Sequence, residues 1–233
     1  MTRPQAANRT RLYIVIGVLA VAVLVGLFFG FFRGGSSTPA APTSASYPVS
    51  VQGVVVTVGV PTAPTTIDIY EDFLCPVCGR FESQNGGDLR QAVTDGKAKV
   101  RYHQVAILNR STNPPGYSTR AANAAICAAE AKANLYPAYH DKLFADQPSE
   151  GSAGLTDQEL IAMGQALGLG ADFAQCVTST KHKPDVLAAT QAAVKDPSLV
   201  PPGSDGFGTP TVQVNGKIVN DWTDSSWLAN AIK

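Results

Sequence analysis

The chain has 233 residues, 45% hydrophobic and 15% charged, so it is long enough for a hydrophobic core and too long for a miniprotein held by disulfides alone. Eighteen basic and eighteen acidic residues cancel to a formal net charge of zero, which excludes a globally basic nucleic-acid-binding protein. The charge is nevertheless segregated. Residues 1–33 carry four arginines and no acid, whereas residues 34–233 carry 14 basic and 18 acidic residues.

Residues 12–32 form an uncharged apolar stretch, which as a helix would span the roughly 30 Å hydrocarbon layer of a membrane. Three arginines precede the stretch and only Arg33 follows it closely, so the positive-inside rule places residues 1–11 in the cytoplasm and the rest outside. The sequence therefore predicts a single-pass anchor in the cell membrane. A cleavable signal peptide is the main alternative, although its apolar region is usually shorter, about 7–15 residues.

Residues 33–52 follow the anchor and are rich in Gly, Ser, Thr, Pro and Ala. Such a composition offers little to bury and predicts a flexible linker. The extracytoplasmic domain is then expected at residues 53–233.

The predicted elements of this domain alternate between strands and helices. Strands are expected at residues 54–58, 65–70, 99–105, 211–214 and 217–219, the last two forming a hairpin around an Asn-Gly turn. A helix follows the second strand, several helices occupy residues 112–197, and a short helix closes the chain. This order predicts an α/β fold, a mixed sheet with helices on both faces.

The sequence Cys75-Pro-Val-Cys78 directly follows the second strand and opens a helix. A thiol in the first helical turn meets unpaired backbone N–H groups and the positive end of the helix dipole, and both stabilise the reactive thiolate. Pro76 suits this turn because its missing N–H is not needed there. We therefore expect Cys75 to be an exposed nucleophile and Cys78, one turn further on, to be a more buried resolving thiol.

Other roles for the cysteines remain open at this stage. A zinc site would need two more ligands, which the spacing of the remaining cysteines and histidines does not supply, so no metal or other cofactor is predicted. A purely structural Cys75–Cys78 disulfide is a further alternative. Cys127 and Cys176 are either two buried free thiols or, outside the cytoplasm, a structural disulfide, which we favour.

A second motif, Gly208-Thr-Pro-Thr-Val212, immediately precedes the predicted hairpin strand. Together with residues 70–78, which include Asp72 three residues before Cys75, it resembles the DsbA-like branch of the thioredoxin superfamily. The similarity extends over nearly the whole outer domain. It implies a thioredoxin-like mixed sheet with an inserted helical subdomain at about residues 112–197.

The resemblance also implies a function. Thr209 and Pro210 would form a cis-proline loop beside Cys75, with Thr209 backbone atoms pairing with an extended substrate. The Cys75–Cys78 pair, with Pro76 and Val77 between its cysteines, would cycle between disulfide and dithiol and oxidise reduced, unfolded secreted proteins. The anchor resembles those of membrane-tethered actinobacterial relatives, whose oxidising membrane partner is often vitamin K epoxide reductase-like. An isomerase or reductase of the same fold, or a metal chaperone, are the competing functions.

One position departs from the family pattern. Many relatives carry a buried acid six residues before the nucleophile, where this chain has Ile69. Asp68 and Glu71 flank Ile69, and we expect both to point to the opposite face of a regular strand. Proton transfer from Cys78 would then depend on water, or on Glu71 or Asp72 at a bent strand end.

Overall fold

A computed structural model describes residues 45–232, so the predicted anchor, the cytoplasmic residues before it and most of the predicted linker lie outside the described part. Within residues 45–232, no helix combines the length and apolar character needed to cross a membrane. The strands are β1 Val49–Gln52, β2 Val55–Val58, β3 Thr65–Glu71, β4 Ala98–Gln104, β5 Thr211–Val214 and β6 Lys217–Ile218. The α-helices are α1 Pro76–Thr94, α2 Tyr117–Ala131, α3 Tyr136–Ala145, α4 Asp157–Ala166, α5 Ala171–Thr178, α6 Lys183–Lys195 and α7 Trp227–Ala231.

The strands form one mixed sheet in the order β1-β2-β4-β3-β5-β6. β3 and β4 are parallel, and every other neighbouring pair is antiparallel. The parallel pair is joined through α1, as the long crossover between parallel strands requires. β3 lies in the interior of the sheet, and five of its seven residues are buried. Its carboxyl end leads directly into the turn that carries the two close cysteines.

The ordered domain begins earlier than the sequence predicts. Val49–Gln52 forms the edge strand β1, although these residues fall in the segment expected to be a linker. Its residues alternate between half-buried and exposed, and it pairs with β2 through the turn around Gly53, whose φ is +59°. A four-residue edge strand has a weak apolar pattern. Next to a Pro- and Ser-rich stretch, this pattern does not distinguish the strand from the linker in the sequence.

The two faces of the sheet meet different helices. Ile67 and Ile69 are fully buried in the main core, where Phe81 and Leu89 of α1 also pack. On the opposite face, Ala193 of α6 packs with residues that follow β4 and α6. Helices α2 to α6 all lie between β4 and β5 in the sequence.

The inserted helices are held by local signals and by packing. α4 starts with a capping box, in which the Thr156 hydroxyl accepts from the Glu159 backbone N–H and the Glu159 carboxylate accepts from the Thr156 backbone N–H. α2 is the most buried helix, and twelve of its fifteen residues are buried. Its many alanines allow neighbouring helices to approach closely.

Candidate active site

Cys75 lies at the junction of strand and helix, immediately before Pro76 starts α1. Its backbone is extended, with φ −70° and ψ 115°, and its carbonyl accepts the first helical hydrogen bond, from the Gly79 N–H at 3.1 Å. Pro76 is exposed and Val77 is half-buried. Because Pro76 has no N–H, the first free backbone donors of the helix are those of Val77 and Cys78. Both cysteines are free thiols in this structure.

The cis-proline loop covers Cys75. The Thr209–Pro210 peptide bond is cis, as the resemblance implies, and the Cys75 thiol donates to the Thr209 carbonyl oxygen at 3.3 Å. Cys75 consequently retains only 5% exposure, which corrects the expectation of an exposed nucleophile, and Cys78 has none. Cys75 is still the sulfur nearer to solvent. The Thr209 hydroxyl is buried and has no hydrogen-bond partner among the described residues.

The two thiols have opposite acidities. A hydrogen bond from the Cys78 thiol, helped by the backbone N–H groups of Cys78 and Val77, outweighs burial and lowers the pKa of Cys75 to about 6. Burial, together with the negative charge that develops on Cys75, raises the pKa of Cys78 well above its ordinary value. At neutral pH the dithiol form therefore holds a thiolate at Cys75 and a proton on Cys78.

A buried ion pair lies at the end of β3. The Nε2 atom of His140, from α3, is 2.7 Å from Glu71 Oε1, and both side chains are at most 2% exposed. Gln104 Nε2 donates to the same Glu71 oxygen at 3.2 Å. Burial alone would lower the pKa of His140, but the Glu71 carboxylate outweighs burial and holds it well above its ordinary value. Glu71 Oε2 has no partner within the described chain.

Glu82, one turn along α1 from Cys78, lies close to the Glu71–His140 pair. One ligand atom each of Glu71, Glu82 and His140 lie within 4.8 Å of one another. Although Glu82 is half-buried as a residue, its Oε1 atom is buried and unpartnered among residues 45–232. Burial raises the pKa of Glu82 to about 8, so this carboxyl keeps its proton at neutral pH. Glu71, His140 and Glu82 are called the buried acid–histidine group below.

The expectation for Glu71 was wrong, whereas that for Asp68 was right. Asp68 lies on the other face of the sheet from Ile69, where Arg101 and His103 bind its carboxylate at 2.5–2.7 Å. Glu71, two residues after Ile69, shares the face of Ile69, because side chains repeat every second residue along a strand. Neither acid is a solvated surface charge, since Asp68 is 2% and Glu71 1% exposed.

Asp72 shapes the turn that precedes Cys75. It is fully buried, and its carboxylate accepts from the backbone N–H of Leu74 at 2.9 Å and from that of Leu108 at 2.8 Å. Burial raises the pKa of Asp72 to about 6, and the two backbone donors offset only part of this effect. Asp72 thus ties the end of β3 to the loop after β4 and supports the active-site turn through the backbone.

Gln147 is a further supporting residue, which the sequence did not indicate. Its Nε2 atom donates to the carbonyl oxygens of Phe73 and Cys75, both at 3.0 Å. The residue lies just after α3, in the helical insertion. Gly79 leaves room for it, because a Cβ there would stand 2.7 Å from Gln147 Oε1. No local motif marks Gln147, since its position depends on how the insertion packs against the turn.

The second cysteine pair lies in the helical insertion and forms a structural disulfide. Cys127 of α2 and Cys176 of α5 form a disulfide with a Cα–Cα distance of 5.7 Å. The bond joins two of the inserted helices across 49 residues of chain. Both cysteines lie within helices and not at a helix start, so the free N–H groups that serve Cys75 are missing there.

Known proteins share this fold. The family model described as thioredoxin matches residues 52–233, so the chain belongs to the thioredoxin family. Among solved structures, it is similar to reduced DsbA from Mycobacterium tuberculosis, with 30% identity and a TM-score of 0.64 over 76% of this chain and 86% of that one. It is also similar to the reduced disulfide bond oxidoreductase DsbG of the same organism, with 31% identity and a TM-score of 0.64 over 77% and 85%. Within the family, the chain is a thiol–disulfide oxidoreductase of the DsbA type.

One further structural match agrees with the fold, and one longer protein matches in sequence. MdbA, a thiol-disulfide oxidoreductase from Corynebacterium matruchotii, has a TM-score of 0.70 over 83% of this chain and 94% of that one, at 22% identity. The serine/threonine-protein kinase PknE of Mycobacterium tuberculosis is 35% identical over 181 residues, which are 76% of this chain. The chain spans 31% of the length of that kinase, so the kinase name describes a much longer protein.

Proposed function

We propose that this domain is an extracytoplasmic disulfide oxidase that forms disulfides in secreted or cell-envelope proteins. The observation that carries the proposal is the position of Cys75 at the start of α1, where its pKa is about 6. A stabilised Cys75 thiolate stabilises the dithiol relative to the disulfide. A pair of this kind gives up its disulfide readily and therefore oxidises its substrates.

The catalytic cycle follows from the positions of the two sulfurs. A substrate thiolate attacks Cys75, the less buried sulfur of the disulfide form, and the Cys75–Cys78 bond breaks as the substrate–Cys75 bond forms. Cys78 leaves with the electron pair and takes up a proton. The second thiolate of the substrate then attacks the substrate sulfur of the mixed disulfide, which forms the substrate's own disulfide and releases Cys75 as the thiolate. The Thr209 backbone, beside Cys75, would hold the substrate in extended form.

The proton for Cys78 comes, in this proposal, from the buried acid–histidine group. Cys78 is fully buried, so solvent has no direct route to its sulfur. Glu82 holds a proton at neutral pH. Glu71 lies within 4.8 Å of Glu82 and also interacts electrostatically with Cys78. This group takes the place of the acid that many relatives carry at the position of Ile69.

The wider setting is proposed from the sequence. Residues 12–32 would anchor the domain outside the cytoplasm, reduced unfolded secreted proteins would be its substrates, and a vitamin K epoxide reductase-like membrane protein would restore the Cys75–Cys78 disulfide. Fusion of a periplasmic reporter enzyme and of a cytoplasmic one after residue 44 tests the orientation. Activity of the cytoplasmic reporter alone would contradict it.

The decisive measurement is the redox potential of the Cys75–Cys78 pair, by equilibration with glutathione. We expect a value more oxidising than the roughly −270 mV of thioredoxin, together with oxidation of a reduced test protein. A value at or below that of thioredoxin, with no oxidation of the test protein, would refute the oxidase assignment. Faster refolding of a scrambled protein than of a reduced one would favour an isomerase instead. The Cys75→Ser variant controls for uncatalysed exchange in each assay.

A further inference from the structure

The turn that carries the nucleophile joins the end of β3 to the start of α1. Asp72 binds two N–H groups of this turn, since its carbonyl oxygen accepts from the Cys75 N–H at 2.9 Å and its carboxylate from the Leu74 N–H at 2.9 Å. The carbonyl oxygens of Phe73 and Cys75 are bound from outside the turn, by the Nε2 amide of Gln147, at 3.0 Å each. One side chain of the insertion therefore holds the backbone on both sides of Leu74.

These two bonds complete the hydrogen bonding of the turn. Phe73 is fully buried, and within residues 45–232 its carbonyl oxygen accepts only from Gln147. The Cys75 carbonyl also accepts from the Gly79 N–H at 3.1 Å, so Gln147 takes its second lone pair. Because a buried carbonyl without a donor is costly, the turn would have to move if the Gln147 amide were lost.

The chemistry of the Cys75 sulfur depends on where this turn places it. The sulfur is bound by the backbone N–H groups of Val77 and Cys78 at the start of α1, and it lies 3.3 Å from the Thr209 carbonyl oxygen. The N–H groups stabilise the thiolate, and such hydrogen bonds weaken steeply with distance and angle. A displaced turn would therefore leave the thiolate of Cys75 less stable.

We propose that Gln147 is a positioning residue of thiol–disulfide exchange, which keeps the Cys75 sulfur where the N–H groups of α1 stabilise its thiolate. It acts through the carbonyls of Phe73 and Cys75. Loss of the Gln147 amide then weakens the dithiol form relative to the disulfide. The role applies to exchange in either direction, so it does not depend on whether the pair oxidises or isomerises its substrates. The helical insertion thereby helps to set the reactivity of the pair.

Gln147→Leu tests this role, because it removes the amide at nearly constant size from a half-buried position. We expect the pH midpoint of Cys75 alkylation to rise. The equilibrium constant for oxidation of the pair by glutathione should increase about threefold or more, the effect of one lost hydrogen bond. Gln165→Leu, which alters an exposed glutamine of α4, is the matched control and should change neither quantity. A Gln147→Leu protein with a lower free energy of unfolding but an unchanged midpoint and equilibrium constant would overturn the proposal.

Gly79→Ala reaches the same contact without altering Gln147, so the test does not depend on Gln147→Leu being folded. A Cβ at position 79 would stand 2.7 Å from Gln147 Oε1, and this end of a flexible side chain can move away. Gly79→Ala should therefore reproduce the rise in the midpoint and in the equilibrium constant. Combined with Gln147→Leu it should add little, because both variants break one contact. Full additivity of the two effects, or a Gly79→Ala protein that behaves like the wild type, would contradict the proposal.

Discussion

Cys75 and Cys78 are three residues apart at the start of one helix, whereas Cys127 and Cys176 are separated by 49 residues and lie within two helices. In the first pair, a hydrogen bond from Cys78 and, with a smaller effect, free backbone N–H groups stabilise a thiolate on Cys75, and burial keeps a proton on Cys78. Neither cysteine of the second pair lies in the first turn of its own helix, and the bond between them holds two helices together. The difference shows that the reactive pair has one sulfur at a helix start with a second thiol beside it, whereas the structural pair joins the interiors of two helices.

The largest expected effect follows from removing the nucleophile. Cys75→Ser should reduce oxidation of a reduced test protein to the uncatalysed rate, because Cys78, whose pKa is raised, does not replace the Cys75 thiolate. Cys78→Ser should instead accumulate a mixed disulfide between Cys75 and substrate, visible on a non-reducing gel. A mixed disulfide through Cys78 in the Cys75→Ser variant would reverse the assigned roles.

Replacing Cys127 and Cys176 should lower the free energy of unfolding and leave the rate of thiol–disulfide exchange unchanged. The Cys127→Ser, Cys176→Ser variant should lose about 4 kcal/mol of unfolding free energy, from the chain entropy of a loop of about 50 residues. Urea unfolding measures this loss. The folded variant, assayed at low temperature, should retain its exchange rate. A large loss of rate at unchanged stability would contradict the division between the two pairs.

The acidity of Cys75 gives a third test. The rate of iodoacetamide alkylation of the reduced protein should rise with a midpoint near pH 6, because the thiolate is the reacting form. Cys78→Ala removes the hydrogen bond that lowers the pKa of Cys75 most, so its midpoint should move upward toward the ordinary value of about 8.5. Cys127→Ser, Cys176→Ser serves as the matched control, and its alkylation midpoint for Cys75 should not move.

A pH-dependent effect is expected from the buried acid–histidine group, which interacts with the reactive pair through Glu71. Glu82 keeps its proton in the folded state up to about pH 8, whereas in the unfolded chain it ionises near pH 4.3. Its contribution to stability is therefore fully present below pH 4.3 and is lost as the pH rises toward 8.

Glu82→Gln, which cannot ionise, should therefore gain stability over the wild type as the pH rises through this window. Urea unfolding at several pH values measures the difference. Asp88→Asn, at an exposed carboxylate of the same helix α1, is the control and should show no such gain. A constant difference between wild type and Glu82→Gln would show that Glu82 is ionised in the folded protein.

The sequence was informative where local chemistry determines the structure. The strand before Cys75 and Pro76 after it place the cysteine at a helix start, because proline is tolerated in the first turn and the β-branched run favours a strand. The face of Glu71 could also have been predicted, since the two-residue repeat of a strand puts Glu71 with Ile69.

Other parts of the site depend on packing between distant segments. His140 meets Glu71 from 69 residues away, and Gln147 reaches Cys75 across 72 residues. Neither residue belongs to a motif that local spacing could reveal. The same holds for His182, which the packing of α2, α5 and α6 brings close to the Cys127–Cys176 disulfide.

The two hydrogen bonds from Gln147 to the carbonyls of Phe73 and Cys75 have a consequence for engineering this protein. The helical insertion is not a detachable module, because one of its side chains supports the backbone of the catalytic turn. A chimera that grafts the insertion of another member onto this sheet would have to carry a glutamine at this position and a glycine at position 79.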